Sequence, residues 1–266
     1  MFKSSKKKLI ASGCSFTDSV YTFSHGFPVW PDILGEMLDM EVINLGTSAQ
    51  GNECIYSMIL DCLTKEDNVG LVIPMWSENS RMDFEVPHRK DKKRTRPHVK
   101  EWDNIQTIRE TQAFWKNVVS DCLNEHNFVD MYARTKRSMR FMYSFQEVMK
   151  SKNINYLQIV GCGLEPAMYE NKLGKLVLDN IYFDLIDEKY FVGWPMVSSI
   201  GGNNVNDFLT KLDKTRMKNI IDGRRVYKEE GDKLVETLKD SHPNKLGHEQ
   251  IAEILYNAYK EIYEVS

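Results

Sequence analysis

The residues of this chain best suited to move a proton and an acyl group lie in two short blocks. One is Asp240-Ser241-His242-Pro243-Asn244 and the other is Gly13-Cys14-Ser15-Phe16-Thr17-Asp18. A histidine held in a turn by a following proline can have one ring nitrogen oriented by a nearby carboxylate, here Asp240, while the other faces a substrate. Alone, that block reads better as a surface turn in which Asp240 and Asn244 cap a helix. The serine changes the balance. At the end of a first strand, Ser15 supplies a hydroxyl that His242 can deprotonate, and the pair could then attack an ester carbonyl. Asp240 stands two residues before His242, and side chains two apart on an extended segment point the same way, so a triad and a Ser–His dyad are both open. Cys14 is chemically the better nucleophile, yet beside a strand-end serine it should face into the sheet. His25 and His248 read as structural, and no His, Cys, Asp and Glu spacing matches a metal site, so neither metal nor cofactor is expected.

Two blocks so far apart in sequence need a scaffold that brings them together. Residues 9–13 are an apolar run ending in glycine, the pattern of a buried strand that stops at a functional turn. Residues 30–40 carry apolar side chains at helical spacing behind Pro31, residues 41–45 read as a strand, and 51–63 as a helix. Residues 69–76 are a third buried strand and 154–162 a fourth, following a helical stretch over 128–150. Ile251, Leu255, Ala258, Tyr259 and Ile262 have the spacing of an amphipathic closing helix over 248–263. This alternation predicts a three-layer α/β/α fold with a parallel sheet of about five strands covered on both faces, and no internal repeat. Residues 81–110 and 167–232 fall outside the alternation and read as insertions on a single domain spanning 1–266.

Composition narrows the function classes. The chain has 266 residues, of which 42% are hydrophobic and 27% charged, values of an ordinary globular protein able to bury a sizeable core. Lys and Arg number 35 against 38 Asp and Glu, a formal charge of −3, which argues against a nucleic-acid binder with a wholly basic face. The basic run Arg89, Lys90, Lys92, Lys93, Arg94 and Arg96 reads first as a solvated loop, and more sharply as a contact for an acidic glycan, a nucleic acid or an acidic partner. Five cysteines, Cys14, Cys54, Cys62, Cys122 and Cys162, form no CxxC pair and mostly sit in apolar stretches, as reduced thiols do. The apolar stretch after the basic residues 1–8 is shorter than the ~7 residues a signal peptide needs, and no segment reaches the ~18 of a membrane span. The expectation is a soluble protein made in the cytoplasm, with no membrane partner, and open to incorporation in a larger particle.

Together the two blocks resemble the SGNH/GDSL hydrolases, in which a Gly-Asp-Ser-type block carries the nucleophile and an Asp-x-x-His-Pro block before the last helix carries the base. Ser15 and His242 fall on those positions. Val42-Ile43-Asn44-Leu45-Gly46-Thr47-Ser48-Ala49-Gln50-Gly51-Asn52 is similar to the family's second block, which ends in an oxyanion-hole glycine. Gly51 at a helix start is the better match and Gly46 the next; a backbone N–H there would bind a developing oxyanion with help from the helix terminus. The third block departs. Where the family has Gly-x-Asn-Asp, this chain has Val72-Ile73-Pro74-Met75-Trp76-Ser77-Glu78-Asn79-Ser80-Arg81, so the third donor is Asn79, Ser77 or absent. The Trp-Ser-x-x-x-Arg arrangement is similar to a variant in SGNH-like proteins of tailed phages. Cys14 replaces the Asp beside the nucleophile, and Lys239 stands where the family's acid would sit.

The resemblance implies a flavodoxin-like α/β fold and a serine esterase with Ser15 as nucleophile, His242 as base, Asp240 as its orienting acid, and Ser15, Gly51 and Asn79 as oxyanion donors. Its expected substrate is a small-molecule or glycan ester. Trp102, Trp115, Trp194 and Tyr190 could stack on sugar rings, which favours a carbohydrate O-acetylesterase, although each alone reads equally well as core. The alternative is a catalytically weak SGNH-fold binding or structural module, such as a phage virion component. Nucleic-acid binding through residues 89–96 rests on one charge run and is weaker.

Overall fold

The computed structural model describes residues 6–20, 26–83, 125, 130–164, 169–213, 219–221, 224–226, 234–235 and 241–264. Strand β1 (Lys8–Gly13) pairs in parallel with β2 (Glu41–Asn44) on one side and β3 (Val69–Trp76) on the other. Beyond β3 come β4 (Gln158–Val160) and β5 (Phe191–Val192), giving a parallel five-stranded sheet in the order β2-β1-β3-β4-β5. Side chains alternate across β1 and β3, so Leu9, Ala11, Leu71 and Ile73 face one core and Ile10, Val72 and Trp76 the other.

Each face is closed by helices whose apolar stripes match it, which makes three layers. On one side pack α1 (Trp30–Met37), α5 (Val205–Leu212) and α6 (Lys245–Tyr263), through Trp30, Leu34, Val205, Leu209, Ile251 and Leu255. On the other pack α2 (Asn52–Leu63), α3 (Met131–Lys152) and α4 (Glu170–Leu178), through Ile55, Ile59, Met142, Phe145 and Val177. Burying each such side chain is worth about 1.5–3 kcal/mol, so the two cores hold the sheet ends in place. A small antiparallel pair, β6 (Asn219–Ile221) with β7 (Arg224–Val226), lies apart from this sheet.

Local chemistry sets the boundaries and corrects several expected ones. Helix α1 stops at Met37 rather than at residue 40, because Asp39 turns to φ 53° and Met40 returns its N–H to Gly35 O. Helix α6 begins at Lys245, three residues earlier than its apolar spacing implies, because the Asn244 side chain accepts from Gly247 N at 3.0 Å. The fourth strand is confined to residues 158–160, with Tyr156 making a single bridge to Val72. The largest difference concerns residues 167–232. Read as an insertion, this segment supplies α4, β5 and α5, three elements of the layered core. A two-residue strand is too short to leave a period, so only its partner strand reveals it. Among the described residues no helix is long and apolar enough to cross a membrane.

Candidate active site

The first strand delivers Ser15 through a tight turn. Thr17 N and Asp18 N both donate to Cys14 O, at 2.9 and 3.1 Å, while Cys14 and Phe16 are buried and Ser15 is partly open. Gly13 has no room for a side chain: a Cβ there would lie 2.2 Å from Thr17 Oγ1. The turn is tied to the loop after β2, since Asn44 Nδ2 donates to Thr17 O at 2.8 Å and Asp18 Oδ2 accepts from both the N–H and the hydroxyl of Ser48 at 2.9 Å. No hydrogen bond runs from the Ser15 N–H to another described residue.

The last helix delivers His242. Its Nε2 lies 2.7 Å from Ser15 Oγ across 227 residues of sequence, and Phe16 meets its ring edge-on at 5.3 Å. Pro243 bridges to Val235 and Asn244 N donates to Leu234 O at 3.1 Å, which pins the turn carrying His242. His248, one turn into α6, is buried and accepts the Trp30 N–H on Nδ1 at 3.2 Å. Burial, with the neighbouring His242 adding to it, pushes its pKa down to about 3, so it stays neutral. Trp30 in turn donates from Nε1 to Thr17 Oγ1 at 3.3 Å, linking the turn that carries Ser15 to the start of α6 through the start of α1.

The expected oxyanion donors are placed differently. The Gly51 N–H donates to Asp83 Oδ1 at 2.9 Å, and Cys54 N donates to Asp83 Oδ2 at 3.0 Å, so a carboxylate already occupies the start of α2. A Cβ on Gly51 would fall 2.5 Å from that carboxylate. Gly46 is committed too, through its N–H to Asn44 Oδ1 at 2.8 Å. Asn79 is only 1% exposed; its Nδ2 donates to Thr135 Oγ1 at 3.3 Å and its Oδ1 has no partner among the described residues. Ser77 is held on both sides by Asn52, through N–H to Oδ1 at 2.7 Å and Nδ2 to its carbonyl at 3.1 Å. Asp240, His25, Trp102, Trp115, Cys122 and residues 89–96 lie outside the described residues.

Two residues at the end of the third block and just past it matter, Arg81, noted in its pattern, and Asp83, which the pattern did not single out. Arg81 is 4% exposed and spans three loops, donating to Gln50 O at 3.0 Å, to Glu78 at 3.2 Å and towards Cys162 Sγ at 3.9 Å. Asp83 caps a helix 32 residues earlier in the chain, and burial raises its carboxyl pKa against the pull of those two N–H groups. The only sequence signal for Asp83 is the placement of charge shortly after a wholly apolar strand. The proposed sugar-stacking rings are packed among their own kind: Tyr190 lies 4.8 Å from Tyr156, and Trp194 5.1 Å from Phe183. Among the described residues no group of three or more His, Cys, Asp and Glu is placed to hold a metal.

No family model matches the chain, and no curated protein does. Among solved structures it is similar to a protein of Desulfitobacterium hafniense described as lipolytic and of the G-D-S-L family, at 15% identity over 95% of this chain and 99% of that one, with a TM-score of 0.46. It is also similar to an acetyl xylan esterase at 14% identity, covering 94% of this chain and 98% of that one, TM-score 0.46. A catalytic mutant of an acetylxylan esterase from Geobacillus stearothermophilus matches at 12% identity over 98% and 95% of the two chains, again with a TM-score of 0.46. Likeness at this level identifies no activity, and the chemistry must come from this chain's own side chains. Those side chains offer a hydroxyl within proton-transfer distance of an imidazole, at the carboxyl ends of parallel strands, where open α/β sheets bind ligands.

Proposed function

We propose that this chain is an SGNH-type serine esterase that removes an acyl group, acetyl in the simplest case, from a carbohydrate or related ester. The observation that carries the reading is the 2.7 Å contact of Ser15 Oγ with His242 Nε2. In the proposed cycle His242 takes the Ser15 proton as the oxygen attacks the ester carbonyl, and then returns it to the departing alcohol. Water, deprotonated by the same imidazole, releases the acyl group. Asp240 would orient the ring, and the Ser15 N–H is the foremost oxyanion donor, with Gly51 and Asn79 beside it. A Gly51 contribution requires the oxyanion to take the place of the Asp83 carboxylate. The choice of a sugar ester comes from aromatic side chains able to stack on sugar rings; of these Trp102 and Trp115 lie outside the described residues, and Tyr190 and Trp194, packed against other rings, lend it nothing.

The occupied Gly51 N–H and the buried Asn79 amide favour a second reading, a catalytically weak SGNH-fold binding or structural module. One experiment separates the two. The esterase hydrolyses p-nitrophenyl acetate and is labelled at Ser15 by a fluorophosphonate; Ser15→Ala abolishes both, and His242→Ala lowers turnover by about ten-thousand-fold, because nucleophile and base act as a unit. An unreactive wild-type protein would leave the module. Release of acetate from acetylated xylo-oligosaccharides, compared with aryl acetate, then tests the sugar.

A further inference from the structure

His242 sits where its own helix cannot hold it. Helix α6 begins at Lys245, so the base lies three residues before it and outside its hydrogen-bond ladder. The turn is docked instead on residues 234–235. Asn244 N donates to Leu234 O at 3.1 Å, Asn244 Nδ2 donates to Val235 O at 3.3 Å, and Pro243 bridges to Val235. The approach is close: a Cβ on Gly247 would fall 2.1 Å from Leu234 O. Leu234 and Val235 are buried in the core that also holds Val205, Leu209, Ile251 and Leu255, and the Leu234 N–H donates to Asp213 Oδ2 at 3.0 Å.

Asp213 is an unexpected residue for its place. It is the C-cap of α5, its N–H donates to Leu209 O at 2.7 Å, and it is only 1% exposed. A carboxylate there faces the negative end of the helix dipole and has left water, and both effects disfavour an acid. Neither the helix nor the core accounts for it; the need of the buried Leu234 N–H for an acceptor does. Because α5 is seated on the sheet through Val205 and Leu209, the contact carries the position of that helix to the segment on which the base is docked.

We propose that Asp213 is a positioning residue for His242: its carboxylate fixes Leu234, Leu234 fixes the turn at Asn244, and the turn sets the imidazole 2.7 Å from Ser15 Oγ. The brace between Asp213 and the turn stands by itself; its effect on turnover rests on the esterase reading. Without the carboxylate, Leu234 keeps a buried N–H that must find another acceptor, and it reaches one only by moving, which takes Asn244 and His242 with it. A shift of about 1 Å at the base costs on the order of a hundredfold in rate. Since Asp213 is buried and acts through Leu234, the loss falls on kcat and leaves KM nearly as it was.

The test compares the full-length protein with Asp213→Ala and Asp213→Asn, each checked for folding by circular dichroism, in p-nitrophenyl acetate hydrolysis, fluorophosphonate labelling of Ser15 and amide hydrogen exchange. We expect kcat and the labelling rate of Asp213→Ala to fall about a hundredfold with KM nearly unchanged. The amides of Leu234 and Asn244 should exchange faster in that variant while those of β3 do not. Asp213→Asn keeps an acceptor oxygen for the Leu234 N–H and should recover most of the rate, whereas a purely structural role would leave kcat of the folded fraction unchanged in both. If Asp213→Ala does not fold, Asp213→Leu, similar in size and without an acceptor, takes its place. A folded variant with the wild-type kcat, a loss confined to KM, an Asp213→Asn as slow as the alanine, or unchanged exchange at Asn244 overturns the proposal. If the wild type is inert towards both reagents, the esterase reading falls by itself; exchange at Asn244 then decides the brace, supporting it if faster in the variant and overturning it if unchanged.

Discussion

At the scale of single residues, Asp83 differs most from expectation. A capping residue usually sits at the helix start itself, but Gly51 has no side chain to offer, and the cap comes from Asp83 in the loop after β3. Two backbone donors of α2 share its two oxygens. An asparagine of the same shape has only one acceptor oxygen, so Asp83→Asn leaves one buried N–H facing an NH2 group. The expected loss is about 1–3 kcal/mol in urea-induced unfolding, the usual cost of a buried donor without a partner. An unchanged midpoint would show that the carboxylate is no structural cap. The same variant reports on the site: removing the negative charge from the Gly51 N–H should raise, not lower, the rate of Ser15 acylation if that N–H serves the oxyanion.

At the scale of elements, the arrangement depends on how α3 is seated, because its face supplies both core and polar clamps. Phe145 is fully buried and meets Trp76 and Tyr156 edge-on at 6.0 and 5.7 Å, while Ser138 and Thr135, further up the same helix, hold Asn52 and Asn79. Arg137 adds a donor to Arg81 O at 3.1 Å. Phe145→Ala should cost about 3–5 kcal/mol of stability through the cavity it leaves. Because α1 and α6 pack on the opposite face of the sheet, Ser15 labelling in the folded fraction should change far less than the unfolding midpoint. Equal losses of both would show that the two faces are energetically one.

At the scale of the whole molecule, His248 makes stability depend on pH. It is neutral when folded, with a pKa of about 3, against an ordinary 6.5 when unfolded. Between those values the unfolded chain binds the extra proton, so the contribution is intact above about pH 6.5 and is lost progressively as pH falls towards 3. At about 1.4 kcal/mol per pH unit the loss is of order 5 kcal/mol. His248→Asn, measured by thermal unfolding between pH 7 and 4, should flatten this part of the profile; a slope as steep as the wild type would assign it to other groups. Since Trp30 links His248 to Thr17, unfolding in acid should begin around the nucleophile turn.

Much of this was legible in the sequence, because period and punctuation are local properties. The apolar run ending at Gly13, the helix behind Pro31, the strand over 69–76 and the spacing of Ile251, Leu255 and Ile262 each state their conformation without reference to the rest. Alternation of such segments leads to a parallel three-layer fold, and with it to Ser15 at the end of β1 and His242 in the turn before the last helix. What had no local signal was decided by tertiary packing. The two-residue β5 exists only because β4 offers it an edge, and Asp83 is a cap only because the loop after β3 passes over α2. The donors implied by the family resemblance, Gly51 and Asn79, were already engaged by partners 32 and 56 residues away. A sequence motif records which groups could bind an oxyanion; whether their hydrogens are free depends on what the folded chain brings beside them, because a buried donor takes the nearest acceptor the fold provides.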